Sequence, residues 1–149
     1  MNIVIENSSR KGDCTVIVRS LENILNTEYH VKDDNWESRR ILLHKDGMGY
    51  SLHDTIVKKG KETYIWYKNH LEACYCIEGE GEVEVLDEQN QKTGQIYSIK
   101  PGTVYALNHH DKHLLRATTS DMRLICVFNP PLTGQEVHDE EGTYPLFIE

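Results

Sequence analysis

The sequence lacks any apolar run long enough to cross a membrane, and its first twenty residues scatter charges where a secretory signal would need an unbroken apolar stretch. A cytoplasmic protein is the expectation. Basic residues are also in short supply: 16 Lys and Arg stand against 24 Asp and Glu, a formal net charge of -8. That balance offers no footprint for a phosphate backbone, so nucleic acid is excluded as a partner, and the charge serves solubility. Cysteine is sparse, with only Cys14, Cys74, Cys76 and Cys126 in 149 residues. A cytosolic chain of this size needs no disulfide staples, so reduced thiols are expected. Cys74 and Cys76 would share one face of a strand, but structural zinc sites usually place about two to four residues between paired ligands and add a second pair, which favours buried thiols. There is no linker, repeat or low-complexity segment, so one core and one domain are expected.

Ten Gly, eight Tyr and only four Pro, with Val, Ile and Thr spread through short runs, point to many short strands. Ser20 is placed to cap a helix of about two turns through Leu21, Ile24 and Leu25, with Glu22 in its first turn. Beyond it, β-prone runs at residues 39–43, 50–57, 63–67, 72–77, 82–86, 95–99, 103–107, 113–117 and 123–128 alternate with turn residues. So many short strands at close spacing predict an all-β sandwich or barrel with one or two short helices. The polar stretch 87–93 reads as a hairpin loop, and Pro130-Pro131 opens a charged C-terminal extension over 130–149 that is expected to cover one barrel mouth.

Chemistry concentrates in two stretches. One is GKETYIWYKNHLEACYCIEG from Gly60 to Gly79; the other runs from Pro101-Gly102-Thr103-Val104-Tyr105 into His109, His110 and His113. The layout resembles the two motifs of cupins and implies a single-domain cupin (jelly-roll) barrel. The usual ligand places hold Trp66, Lys68 and Glu72 in the first motif, and Tyr105 in the second, so only the carboxylate of the standard metal set is present. If Glu72 and Tyr105 point inward, His113 on the following strand completes a carboxylate, phenol and imidazole set, which suits iron better than zinc. On spacing alone, a solvated Glu and a packing Tyr are the commoner outcome.

Longer stretches narrow the reading. IVRSLENI, NWESRRILL, DGMGYSLHDT, WYKNHLEA, YCIEGEGEVE, KPGTVYALNHHDKHLLRA and CVFNPPLTGQEVHDEEGTYPL together resemble the ectoine synthase family from Val16 to about Leu146. The resemblance implies an Fe(II) enzyme, a hydro-lyase, that closes N-γ-acetyl-L-2,4-diaminobutyrate into ectoine, a compatible solute made under osmotic stress. It implies metal ligands Glu72, Tyr105 and His113, and a substrate pocket of Trp36, Arg40, Thr55, Tyr67, His70, Phe128, Glu136 and His138. Cys126 should face inward beside Phe128, two residues on.

Residues 1–15 fall outside the resemblance, and Val16-Ile17-Val18-Arg19 is where the family pattern begins, so the native start is expected at Val16 and the tail is expected to be dispensable. In the implied reaction an iron Lewis acid polarises the amide carbonyl, Arg40 anchors the carboxylate, and Glu136, His138 or His70 supply the general acid and base, with no assignment among them. Two other functions use the same barrel: a metal-free sugar isomerase or epimerase, and a non-catalytic small-molecule binding module. Edge strands lead us to expect a homodimer.

Overall fold

The computed structural model describes residues 16–146. Ten strands build two antiparallel sheets: β1 (His30–Lys32), β2 (Trp36–Leu42), β3 (Ser51–Val57), β4 (Glu62–Ile65), β5 (Leu71–Glu78), β6 (Gly81–Leu86), β7 (Lys92–Ile99), β8 (Val104–Leu107), β9 (His113–Ala117) and β10 (Met122–Asn129). One sheet has the order β1-β2-β3-β10-β5-β8 and the other β4-β9-β6-β7. The all-β barrel expected from the sequence is what forms. No helix among the described residues is long and apolar enough to cross a membrane.

Alternation decides which side chains reach the core. On β10, Met122, Leu124, Cys126 and Phe128 are buried while Arg123, Ile125 and Val127 are partly exposed; on β5 the inward set is Glu72, Cys74 and Cys76. Outside the barrel, Asp54 of β3 is gripped by Arg39 of β2 at 2.5 Å and Arg123 of β10 at 2.6 Å, tying three adjacent strands together. Gly81 allows β6 to lie against β9, since a Cβ there would come within 2.1 Å of the Arg116 carbonyl oxygen.

The structure corrects three local expectations. The N-terminal helix is only a 3-10 turn, Leu21–Asn23, because Asn26 takes a left-handed backbone (φ 60°) and the Thr27 hydroxyl donates to the Ile24 carbonyl at 2.7 Å, turning the chain away. A three-residue strand, β1, precedes β2, and β2 itself starts at Trp36 rather than Arg39. The hairpin loop is shorter than expected. Asp87 Oδ1 accepts from the backbone N–H groups of Gln89 and Gln91, both at 2.9 Å, closing the turn so that Lys92 and Thr93 already belong to β7. The expectations for residues 1–15 and 147–149 lie outside the described residues.

Candidate functional site

Between the sheets lies a cavity. Strands of both sheets contribute on their inward period: Trp36 and Ser38 from β2, Thr55 and Val57 from β3, Thr63 and Ile65 from β4, Glu72 and Cys74 from β5, Tyr105 from β8, Leu115 from β9, and Cys126 and Phe128 from β10. Tyr67 lies just past β4, and His138 and Tyr144 descend from the chain that follows β10. Aromatic packing fixes the wall. Phe128 meets His53 (centroids 5.0 Å), Tyr67 (5.2 Å), Tyr144 (5.6 Å) and His70 (6.1 Å), while Tyr144 stacks on Tyr67 at 4.9 Å.

The segment after β10 is sewn to the barrel. Its Leu132 N–H donates to Ser51 Oγ at 3.0 Å, the Trp66 N–H donates to the Gly142 carbonyl at 2.9 Å, and Asn69 Nδ2 donates to the Tyr144 carbonyl at 3.0 Å. Gly142 is required where it sits, with a left-handed backbone (φ 70°) and the Tyr64 carbonyl oxygen 2.7 Å from where a Cβ would be. Leu132, Glu136, Thr143 and Tyr144 are buried.

Among the described residues, three buried side-chain nitrogens have no hydrogen-bond partner: Arg40 Nη1, His70 Nδ1 and His113 Nε2. An unsatisfied buried nitrogen is costly unless something binds it. For His113 the pattern is specific. Its Nδ1 donates to the Asp111 carbonyl at 3.0 Å, which leaves Nε2 with a free lone pair, the arrangement metal-ligating histidines adopt. Burial holds the His113 imidazole below its usual range, so it is neutral and fit to coordinate. Burial likewise raises the Glu72 carboxyl to about 8 and pushes the Tyr105 phenol up, and a cation beside them would favour their charged forms. Tyr105 and His113 lie with ring centroids 6.3 Å apart. A carboxylate, a phenol and a neutral imidazole lodged on three strands fit a hard-to-borderline ion such as Fe(II).

The remaining expected site residues divide. Trp36, Thr55, Tyr67, Phe128 and His138 line the barrel cavity together with Glu72 and Tyr105. The Tyr67 hydroxyl and His138 Nε2 are 2.7 Å apart, and burial drives the His138 imidazole down to about 4 while keeping the Tyr67 phenol protonated. Arg40, His70, Glu136 and His113 lie outside that lining. Arg40 is buried behind it: Nε donates to Ser38 Oγ at 3.2 Å, Nη2 donates to the Glu136 carbonyl at 2.5 Å, and Nη1 is 4.0 Å from the Glu136 carboxylate. His70 and Glu136 border a second cavity with His44, Thr133 and three prolines. Burial alone would raise the Glu136 carboxyl, but the N–H groups of Thr133 and Gly134 and the Thr133 hydroxyl overcome that and hold it below its usual value.

Sequence reasoning missed Ser38, Cys74 and Tyr144 as cavity residues. The signal for two of them was present, since Ser38 is two residues from Trp36 and from Arg40, and Cys74 two from Glu72, on strands of period two. Tyr144 sits in irregular chain, where no period operates.

The description "ectoine synthase" belongs to a family whose model matches residues 16–147. The chain is 63% identical over 129 residues to an L-ectoine synthase of Halalkalibacterium halodurans, covering 87% of this chain and 95% of that one. It is 60% identical over 134 residues to an L-ectoine synthase of Oceanobacillus iheyensis, covering 90% and 100%. Among solved structures, ectoine synthase from P. lautus superimposes with a TM-score of 0.76 at 60% identity, covering 90% of this chain and 92% of that one. KdgF from Halomonas sp., with a TM-score of 0.54 at 19% identity, shares the barrel fold alone. With a matching family model, relatives well above half identical and the cupin barrel expected from the sequence, the chain is an enzyme, a hydro-lyase, and belongs to the ectoine synthase family.

Proposed function

We propose that the chain closes N-γ-acetyl-L-2,4-diaminobutyrate into ectoine with loss of one water, serving compatible-solute synthesis under osmotic stress. The observation that carries the reading is the aromatic cavity with Glu72 and Tyr105 in its wall and the free, neutral His113 nitrogen on β9. In the reaction the α-amine forms a bond to the amide carbonyl carbon. The carbonyl oxygen then leaves as water, taking two protons from the nitrogens.

Glu72, Tyr105 and His113 would hold Fe(II), which when bound supplies Lewis-acid polarisation of a carbonyl. The chain's own residues do the rest. Trp36, Tyr67, Phe128 and Tyr144 hold the substrate folded, and such positioning contributes up to about 7 to 11 kcal/mol in favourable intramolecular cases. His138, neutral near pH 7, takes a proton from the amine, and the Tyr67 hydroxyl beside it orients the ring. The Glu136 carboxylate already accepts four hydrogen bonds, from the Thr133, Gly134 and Gln135 backbone and the Thr133 hydroxyl, so it acts by holding the turn and the Arg40 guanidinium. Arg40 Nη1, unpaired behind Ser38, would meet a substrate carboxylate that reaches past the cavity wall, and His70 Nδ1, unpaired beside the second cavity, is the remaining candidate acid or base. The extension from Pro130 as far as Leu146 serves as the lid that excludes water.

A cytoplasmic homodimer completes the reading. Exposed Tyr75 and Val104 face each other across β5 and the edge strand β8, an apolar patch suited to a second copy. The test is direct: anaerobic protein with Fe(II) and the acetylated diamino acid should yield a product one water lighter by mass spectrometry. Iron-loaded protein that forms no such product rejects the reaction.

A further inference from the structure

Cys74 follows Glu72 by two residues on β5, and Cys126 stands directly across from Cys74 on β10. One ligand atom from each of Glu72, Cys74 and Cys126 lies within 4.8 Å of the others, and the two sulfurs are 3.3 Å apart. All three residues are buried and all three line the barrel cavity. We propose that Glu72, Cys74 and Cys126 form a second cation site, one that takes a soft, thiophilic divalent ion such as zinc or cadmium.

The geometry suits such an ion. Tetrahedral zinc bonds sulfur at about 2.3 Å and carboxylate oxygen at about 2.0 to 2.2 Å, which places its ligand atoms roughly 3.3 to 3.8 Å from one another. The sulfurs need only part by a few tenths of an ångström. Two sulfurs and one oxygen select soft ions over hard ones, the reverse of the Glu72, Tyr105 and His113 set. As the ion binds, the Cys74 and Cys126 thiols each give up a proton to solvent and, below about pH 8, the Glu72 carboxyl gives up a third, so three protons depart per ion and nothing is oxidised or reduced. Cys76 is buried on the same face but does not line the cavity, and its thiol is engaged by the Glu78 and Gly79 carbonyls at 3.4 and 3.5 Å. The two sites share Glu72, so a thiophilic ion here excludes iron; that clause alone rests on the proposed function.

The experiment is a cadmium titration of the metal-free, full-length protein, read by the cadmium–thiolate charge-transfer absorption. The wild type should reach its end point at one ion per chain. Cys74→Ala and Cys126→Ala should each lose the band at equimolar cadmium, and Cys14→Ala, Cys76→Ala and His113→Ala should keep it. Should an alanine variant fail to fold, Cys74→Ser or Cys126→Ser replaces it, and in the wild type bound cadmium should protect Cys74 and Cys126, but not Cys76, from alkylation in a peptide-mass readout. Absence of the band in the wild type, or its persistence without either cysteine, overturns the site. Iron-dependent turnover alongside no cadmium band rejects this site and leaves the iron reading standing; a cadmium band with no turnover does the converse.

Discussion

Replacing Glu72 with glutamine should stabilise the metal-free protein, and by more as the pH rises. The carboxyl is buried in the folded chain and its pKa is raised to about 8 from an ordinary 4.5. Between those values the unfolded chain has lost a proton that the folded chain keeps, so stability contributed below pH 4.5 is lost progressively as pH rises towards 8. Each pH unit costs about 1.4 kcal/mol, so the penalty is under about 1 kcal/mol at pH 5 and about 3 kcal/mol at pH 7. Glutamine keeps the shape and has no charge to bury. Urea unfolding of both proteins, stripped of metal, at pH 5 and pH 7 should show the gap in favour of Glu72→Gln widening by about 2 to 3 kcal/mol. A gap that stays constant between the two pH values refutes the claim that Glu72 is an uncompensated acid awaiting a cation.

Other substitutions probe the remaining links. Phe128→Ala removes the ring that meets four aromatic neighbours and should cost about 3 to 5 kcal/mol in denaturant unfolding. Asp54→Asn leaves buried Arg39 without its counter-charge and should cost about 3 to 5 kcal/mol, read as a lowered Tm. His138→Ala should lower kcat by roughly 10² to 10⁴ with the fold intact by circular dichroism, and Tyr67→Phe should lower it less. Gly81→Ala forces a methyl against the Arg116 carbonyl and should destabilise by about 1 to 3 kcal/mol or more.

The strands were legible because burial acts through period two: β5, β9 and β10 lie where the β-prone runs placed them, with Glu72, His113 and Phe128 inward. What escaped was set by single side chains rather than by a period. Nothing in the pattern around Leu21 and Leu25 announces that Asn26 turns left-handed and stops the helix, and β1 is too short for any alternation to register. Within the site, residue types pointed to Glu72, Tyr105 and His113, but neither spacing nor residue type indicates that Arg40 is packed behind Ser38 or that Glu136 spends its carboxylate on backbone amides. Those facts depend on how the irregular chain after Asn129 folds back, and such chain carries no repeat to read.

The measurement that reaches furthest is an anaerobic Fe(II) titration of metal-free protein, followed at each step for bound iron and for loss of one water from N-γ-acetyl-2,4-diaminobutyrate. Turnover should rise in proportion to iron and saturate at one ion per chain, and both should vanish in Glu72→Ala and His113→Ala. Product formed at full rate without metal, or by His113→Ala, contradicts the account.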